Sequence, residues 1–138
     1  MKFAAAAILS LAAFVQPAAA QDAAAATKAA TEAANAWLAV ADSGDYAASW
    51  NQAASAFRKM VTQRQWNQAM GAARAPFGAV RSRSFTRAHY TRELPGAPAG
   101  EYVVIEYRTE FADKAGTETV VPMREADGSW KVSGYFVK

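Results

Sequence analysis

The sequence of 138 residues contains no cysteine and a single histidine, His89. The missing cysteines exclude disulfide bonds, thiol catalysis, thiolate metal ligands and a lipid-modified N-terminal cysteine. One histidine cannot form a multi-histidine metal site, and the patterns G-x-G-x-x-G and G-x-x-x-x-G-K-[ST] do not occur. We therefore predict a protein without a metal ion or a cofactor.

Long hydrophobic runs are missing except at the start of the chain. There an apolar stretch of thirteen residues, 3–15, follows Lys2 and precedes an Ala-x-Ala site formed by Ala18 and Ala20. A helix that spans a membrane needs about 20 apolar residues, so this pattern predicts a secretory signal instead. We expect cleavage after Ala20, export to the periplasm or beyond, no membrane span, and a single domain over 21–138.

Acidic residues are missing from the middle of the chain. Residues 46–92 contain eight Lys or Arg and no Asp or Glu, whereas residues 93–138 contain eight acids and five bases. This segregation predicts either an anion-binding face, built from Arg81, Arg83 and Arg87, or segments that complement one another when folded. The helical aromatic residues of the basic segment, Phe57 and Trp66, fit apolar helix stripes, and export argues against nucleic acid as a partner.

The first half of the chain is helical in pattern. Alanine dominates 23–42, where no Gly or Pro interrupts the helix, and Ser43-Gly44 ends it. Asp45 caps a second helix that carries Arg58 and Lys59 near its end, and Thr62-x-x-Gln65 is a capping box that opens a third.

The second half alternates with the period of β-strands. We predict strands over 80–92, 101–111, 117–125 and 130–137, the last two joined by the hairpin turn Asp127-Gly128. Pro122 places its strand at an edge or at a bulge. The fold class is therefore α+β, with about three N-terminal helices packed on a curved antiparallel sheet of about four strands.

Three segments carry a family resemblance. They are Trp37-Leu38-x-Val40-x-Asp42-x-Gly44-Asp45-Tyr46, Leu94-Pro95-Gly96-Ala97-Pro98-x-Gly100-Glu101-Tyr102, and Asp127-Gly128-x-Trp130-Lys131-Val132-x-Gly134-Tyr135. Over residues 27–138 the chain resembles the bacterial exported family called domain of unknown function 4019. The order of its elements also resembles the nuclear-transport-factor-2-like cone. The resemblance implies fold and export, and it brings no catalytic residues.

Catalytic residues are few. A cone fold can bury an acid with a raised pKa, and Glu106 with His89 is the pair that could then serve an acid–base enzyme of the isomerase or dehydratase kind. The alternative is that Glu106 and Glu110 pair across strands with arginines of the preceding strand. A catalytic triad with His89 lacks a nucleophile motif.

Aromatic side chains point to a binding function. The set Trp37, Trp50, Trp66 and Tyr107 either packs solidly or lines an apolar pocket between helices and sheet. We predict a non-catalytic binding or interaction module for an unknown envelope component or small ligand, with the enzyme as the alternative. A homodimer through the sheet, using an exposed aromatic residue such as Tyr135, is a further possibility.

Overall fold

The computed structural model describes residues 17–138, in which four helices precede four strands. The elements are α1 (Ala18–Asp42), α2 (Tyr46–Asn51), α3 (Ser55–Met60), α4 (Gln63–Arg74), β1 (Val80–Thr91), β2 (Tyr102–Phe111), β3 (Ala115–Arg124) and β4 (Trp130–Val137). Most of the predicted signal, up to residue 16, lies outside the described residues, and its last residues begin α1. Within 17–138, no helix has the length and apolarity needed to cross a membrane.

Local capping sets the helix boundaries, as the sequence predicts. Asp45 accepts a hydrogen bond from the Ala48 N–H at 2.9 Å, which satisfies a free amide in the first turn of α2. Thr62 and Gln65 form the reciprocal capping box that opens α4. Gly44 follows α1 with φ +83°, the left-handed conformation that glycine adopts without steric cost.

The predicted second helix is in fact two helices, so residues 17–138 contain four helices where about three were expected. After α2 ends, the Ala54 N–H donates to the Val132 carbonyl at 2.8 Å. Glu125 then accepts from the backbone N–H and the hydroxyl of Ser55, at 2.7 and 2.8 Å. These bonds to the far end of the chain interrupt the helix, and no local pattern encodes them.

The sheet is an antiparallel meander in the order β1-β2-β3-β4. This confirms the α+β class and the four strands. Pro122 lies in β3, an interior strand, where the register shifts between Val121 and Pro122. Its missing N–H donor is therefore accommodated by a bulge and not by an edge position.

Strand β1 departs from simple alternation. Its register against β2 shifts between Val80 and Ser82 and again between Phe85 and Arg87. A bulge inserts one residue and so reverses the face of the residues that follow. The prediction that Arg81, Arg83 and Arg87 share one face is therefore wrong.

Two hydrophobic clusters lie on opposite faces of the sheet. The larger packs α1 and α4 on one face, which we call the inner face, where Val103, Ile105 and Tyr107 point. Tyr102 precedes Val103 and therefore points to the opposite, outer face. There it joins Val121, Met123 and Ala54 in a smaller cluster that contacts α3 and the loop between β1 and β2.

Candidate functional site

Four charged side chains meet at one end of the inner face. Asp42 ends α1, Arg74 ends α4, Arg83 comes from β1 and Glu118 comes from β3. Arg83 binds Asp42 through Nη1 at 2.8 Å, and Arg74 binds it through Nη2 at 2.9 Å. The cluster pairs two cations with two anions, so its formal charges cancel.

Glu118 is the centre of this cluster and is fully buried. Its Oε1 accepts from Arg83 Nε at 2.8 Å and from the Thr109 hydroxyl at 2.5 Å. Its Oε2 accepts from the Tyr135 hydroxyl at 2.5 Å and from Arg74 Nη2 at 3.2 Å. Each carboxylate oxygen thus has two donors, which is what a buried anion needs to remain ionised.

The protonation of the cluster follows from these contacts. Burial alone would raise the pKa of Glu118, but hydrogen bonds from Arg83, Thr109 and Tyr135 hold the pKa of this carboxyl below its ordinary value. The pKa of Asp42 is lowered in the same way, since the bonds from Arg83 and Arg74 outweigh its desolvation. A carboxylate held ionised, with every oxygen in use, is a poor general acid or base, so we assign the cluster a structural role.

The separation of basic and acidic residues along the sequence is explained in part by ion pairs in the folded protein. Several cations of the basic segment pair with acids outside that segment: Arg74 and Arg83 with Asp42 and Glu118, and Arg87 with Glu106 at 2.8 Å. Arg83 and Arg87 therefore fit the second interpretation of the charge pattern, in which segments of opposite charge pair when the chain folds. Arg81 lies at the first bulge of β1 and is exposed.

The acid–base candidates lie on the outer face, away from α1. Arg87 pairs with Glu106 in the strand register, and His89 with Val104, whereas their inner neighbour Ala88 pairs with the core residue Ile105. His89 is exposed, and Glu106 is bound by Arg87 through two hydrogen bonds at 2.8 and 3.0 Å. The structure does not place Glu106 and His89 in a pocket between helices and sheet, so it gives the enzyme alternative no site there.

Three of the predicted pocket aromatics pack in the main core, and the fourth packs against it. Trp37, Trp66 and Tyr107 are buried, and Trp50 is half-buried against them. The Trp37 and Trp66 indole N–H groups donate to the backbone carbonyl and the hydroxyl of Ser49, both at 2.9 Å. This matches the solid packing that the sequence left open, because polar ring atoms that bond internally hold the rings in place.

An apolar groove lies on the outer face of the sheet. It has a volume of about 260 Å³ and lies between α3, the loop after β1 and strands β2 to β4. Met60 and Phe136 line the groove, and their side chains are among the most exposed large hydrophobic ones of residues 17–138. Their exposed fractions are 75% and 65%. The other large lining side chains are Phe57, Leu94, Tyr102 and Met123.

The groove presents almost no polar groups. The Tyr102 hydroxyl donates to the Pro98 carbonyl at 2.6 Å, and the Ser133 hydroxyl donates to the Val121 carbonyl at 2.8 Å. Both hydroxyls are therefore used within the protein. Contiguous exposed apolar surface of this kind marks a binding site more often than scattered hydrophobic residues do.

A polar cleft is a further concave site of the described residues. Its volume is about 670 Å³, and it is lined by Arg92, Gly100, Glu101, Arg124 and the turn 125–128. Glu101 accepts from Tyr90 at 2.8 Å and from Arg124 at 3.2 Å, while Arg92 lies 3.9 Å from it. Over residues 17–138, no group of three or more His, Cys, Asp or Glu side chains is arranged to hold a metal ion.

Sequence reasoning missed both concave sites. The prediction that Tyr135 is an exposed aromatic residue is also wrong. The structure buries Tyr135 on the inner face and exposes Phe136 on the outer one. The alternation of side chains along β4 contains the signal for this arrangement, because consecutive residues of a strand point to opposite faces of the sheet.

The fold and these sites define a small α+β protein with a packed inner core and an apolar groove behind its sheet. The chain belongs to the family described as protein of unknown function, DUF4019, whose model matches residues 33–135. Neither a curated protein nor a solved structure matches the chain.

Proposed function

We propose that the protein is a small exported binding module that holds an apolar ligand in the groove on the outer face of its sheet. The observation that carries this proposal is the exposure of Met60 and Phe136, which both line a groove of about 260 Å³. An exposed aromatic ring and an exposed methionine both lose contact with water when a ligand enters. That burial is favourable by about 25 cal/mol per Å² of apolar surface.

Export is part of the same proposal. It rests on the charged start, the short apolar run and the Ala-x-Ala site in residues 1–20. The order of helices before an antiparallel meander also supports the likeness to the nuclear-transport-factor-2-like cone, which we propose as the architecture.

Binding of an uncharged apolar dye such as Nile red to the chain without its leader tests the proposal. We expect saturable fluorescence, with displacement by an uncharged alkyl compound such as dodecanol. Gly134 lines the groove, and a Cβ there would lie at ordinary contact distance, 3.6 Å from Phe136 Cε2. Gly134→Val should therefore fold, fill part of the groove and lower the affinity for the dye about tenfold.

The matched control is Thr117→Val, which changes an outer-face residue of β3 that does not line the groove. It should leave dye binding unchanged. Absence of saturable binding, or equal binding by both variants, would overturn the proposal. If a second copy of the chain covers the groove instead, light scattering will show a dimer, and dye binding will fall as the protein concentration rises.

A further inference from the structure

Three methionines lie in residues 17–138, and they differ widely in exposure. Met60, the last residue of α3, is 75% exposed, whereas Met123 in β3 is 9% exposed and Met70 in α4 is 2% exposed. The chain contains no cysteine, so no thiol competes with the thioethers for an oxidant. Met60 is therefore the methionine of this part of the chain that an oxidant in solution reaches most easily.

Two of these methionines line the apolar groove. Met123 packs with Ala54, Tyr102 and Val121 in the smaller hydrophobic cluster, which shields its side chain. Met60 lines the same groove and keeps most of its surface in contact with solvent. The groove thus presents one accessible sulfur atom and one that the fold protects.

We propose, on the basis of the proposed function, that Met60 is an oxidation site that regulates the groove, with hydrogen peroxide as the oxidant. The Met60 sulfur attacks one peroxide oxygen, so that an S–O bond forms and the O–O bond breaks. The proton of the transferred oxygen moves to the other oxygen, which leaves as water. The sulfur loses two electrons and the peroxide gains them, and the product is methionine sulfoxide.

Oxidation changes the groove because a sulfoxide is polar and a thioether is nearly apolar. The sulfoxide oxygen accepts hydrogen bonds, but the two side-chain hydroxyls of the groove already donate to the carbonyls of Pro98 and Val121. Water therefore hydrates this oxygen, and an apolar ligand that covers Met60 must displace that water without replacing its hydrogen bonds. The oxidised groove binds apolar ligands more weakly for this reason.

Mass spectrometry of the chain without its leader, after brief treatment with hydrogen peroxide, tests the site. Trypsin cleaves after Lys and Arg and so places the three methionines in three separate peptides, 60–64, 65–74 and 115–124. In the folded protein, we expect the first peptide to gain an oxygen atom at least about tenfold faster than the other two. In urea all three should react at similar rates, because unfolding exposes every sulfur. Equal rates in the folded protein, or a faster reaction at Met70 or Met123, would overturn the proposal.

Binding of Nile red tests the regulation. Peroxide treatment should lower the affinity of the unaltered protein about tenfold, and methionine sulfoxide reductases for both sulfoxide epimers should restore it. Met60→Leu keeps an apolar side chain of similar volume without sulfur, so it should bind the dye equally well before and after peroxide. Met60→Gln introduces a polar group and should bind weakly without any treatment.

The matched control is Met123→Leu, which removes the shielded sulfur of the same groove. It should bind the dye and still lose affinity in peroxide. Thermal unfolding checks that all variants are folded. An unchanged affinity after oxidation of Met60, or an equal loss in Met60→Leu, would overturn the regulation.

The outcomes separate the two proposals. Dye binding that peroxide does not weaken would overturn the regulation and leave the groove as a binding site. Absence of dye binding by the untreated protein would overturn the proposed function and the regulation with it. The mass measurement would then still decide whether Met60 is the oxidation site.

Discussion

Arg83 on β1 and Glu118 on β3 meet across the intervening strand, with Nε and Oε1 at 2.8 Å. The contact exists because the first bulge of β1, between Val80 and Ser82, turns Arg83 toward the helices. It joins the first strand of the sheet to the third and, through Asp42, to the end of α1. The buried cluster therefore fixes how the helices sit on the sheet.

Glu118→Gln should destabilise the fold strongly. The change leaves Arg74 and Arg83 partly unpaired in a buried setting, and breaking a buried pair commonly costs about 3–5 kcal/mol. Urea unfolding followed by tryptophan fluorescence measures this free energy. Glu106→Gln, which alters the ion pair of Arg87 on the outer face, is the control and should hardly move the midpoint. Equal losses in both variants would contradict the central role of Glu118.

Stability should fall in acid because of Asp42 and Glu118. Their pKa values in the folded protein lie below the ordinary values of 3.8 and 4.5, since bonds from the two arginines outweigh the effect of burial. The unfolded chain then binds protons first, so the stabilisation is complete above about pH 4.5 and is lost as pH falls through the folded values. Unfolding free energies measured from neutral pH down to about pH 3 should show this decline.

The variant Glu118→Gln provides the control for that pH series. It lacks one of the two carboxylates, so its stability should depend less on pH over the acid range. An identical slope in the variant would mean that other acids carry the effect.

Much of the fold was predictable because local chemistry encodes it. The caps at Asp45 and Thr62, the left-handed glycine at position 44 and the Asp127-Gly128 turn each act over a few residues. The break between α2 and α3 was not predictable. It depends on bonds from Ala54 and Ser55 to residues of β4 and of the turn before it, and only the folded chain brings these together.

The sites were harder to predict because bulges and distant contacts create them. Regular alternation predicts that Arg83 and Arg87 lie on the same face of the sheet. The bulge between Phe85 and Arg87 puts them on opposite faces. The groove depends on Met60 from α3 meeting Phe136 from β4, which are far apart in the chain. No local sequence pattern at either residue predicts that the two side chains lie close together.

Two glycines should respond in opposite ways to alanine. A Cβ on Gly116 would lie 2.7 Å from Phe77 Cε1 and 3.1 Å from the Lys138 carbonyl oxygen, so Gly116→Ala should cost about 1–3 kcal/mol. Gly71 lies inside α4 with no atom within 4 Å of such a Cβ, so Gly71→Ala should stabilise by about 0.5–1 kcal/mol. Thermal and urea unfolding measure both. A neutral Gly116→Ala variant would show that the Phe77 ring moves aside easily.

Removal of the predicted signal should leave the fold intact. The buried residues of α1 begin at Ala30, so the loss of Ala18–Ala20 takes no side chain from the core. Cleavage also leaves Asp22 in the first turn, near the positive end of the helix dipole.

The full-length chain expressed in a Gram-negative bacterium should yield a folded periplasmic protein that begins at Gln21, as intact mass and N-terminal sequencing will show. Ala20→Glu should accumulate the unprocessed chain because the Ala-x-Ala site needs small residues. Ala24→Glu, an exposed change just beyond the site, should be processed normally, and recovery of the unaltered protein from the cytoplasm with residues 1–20 attached would contradict export.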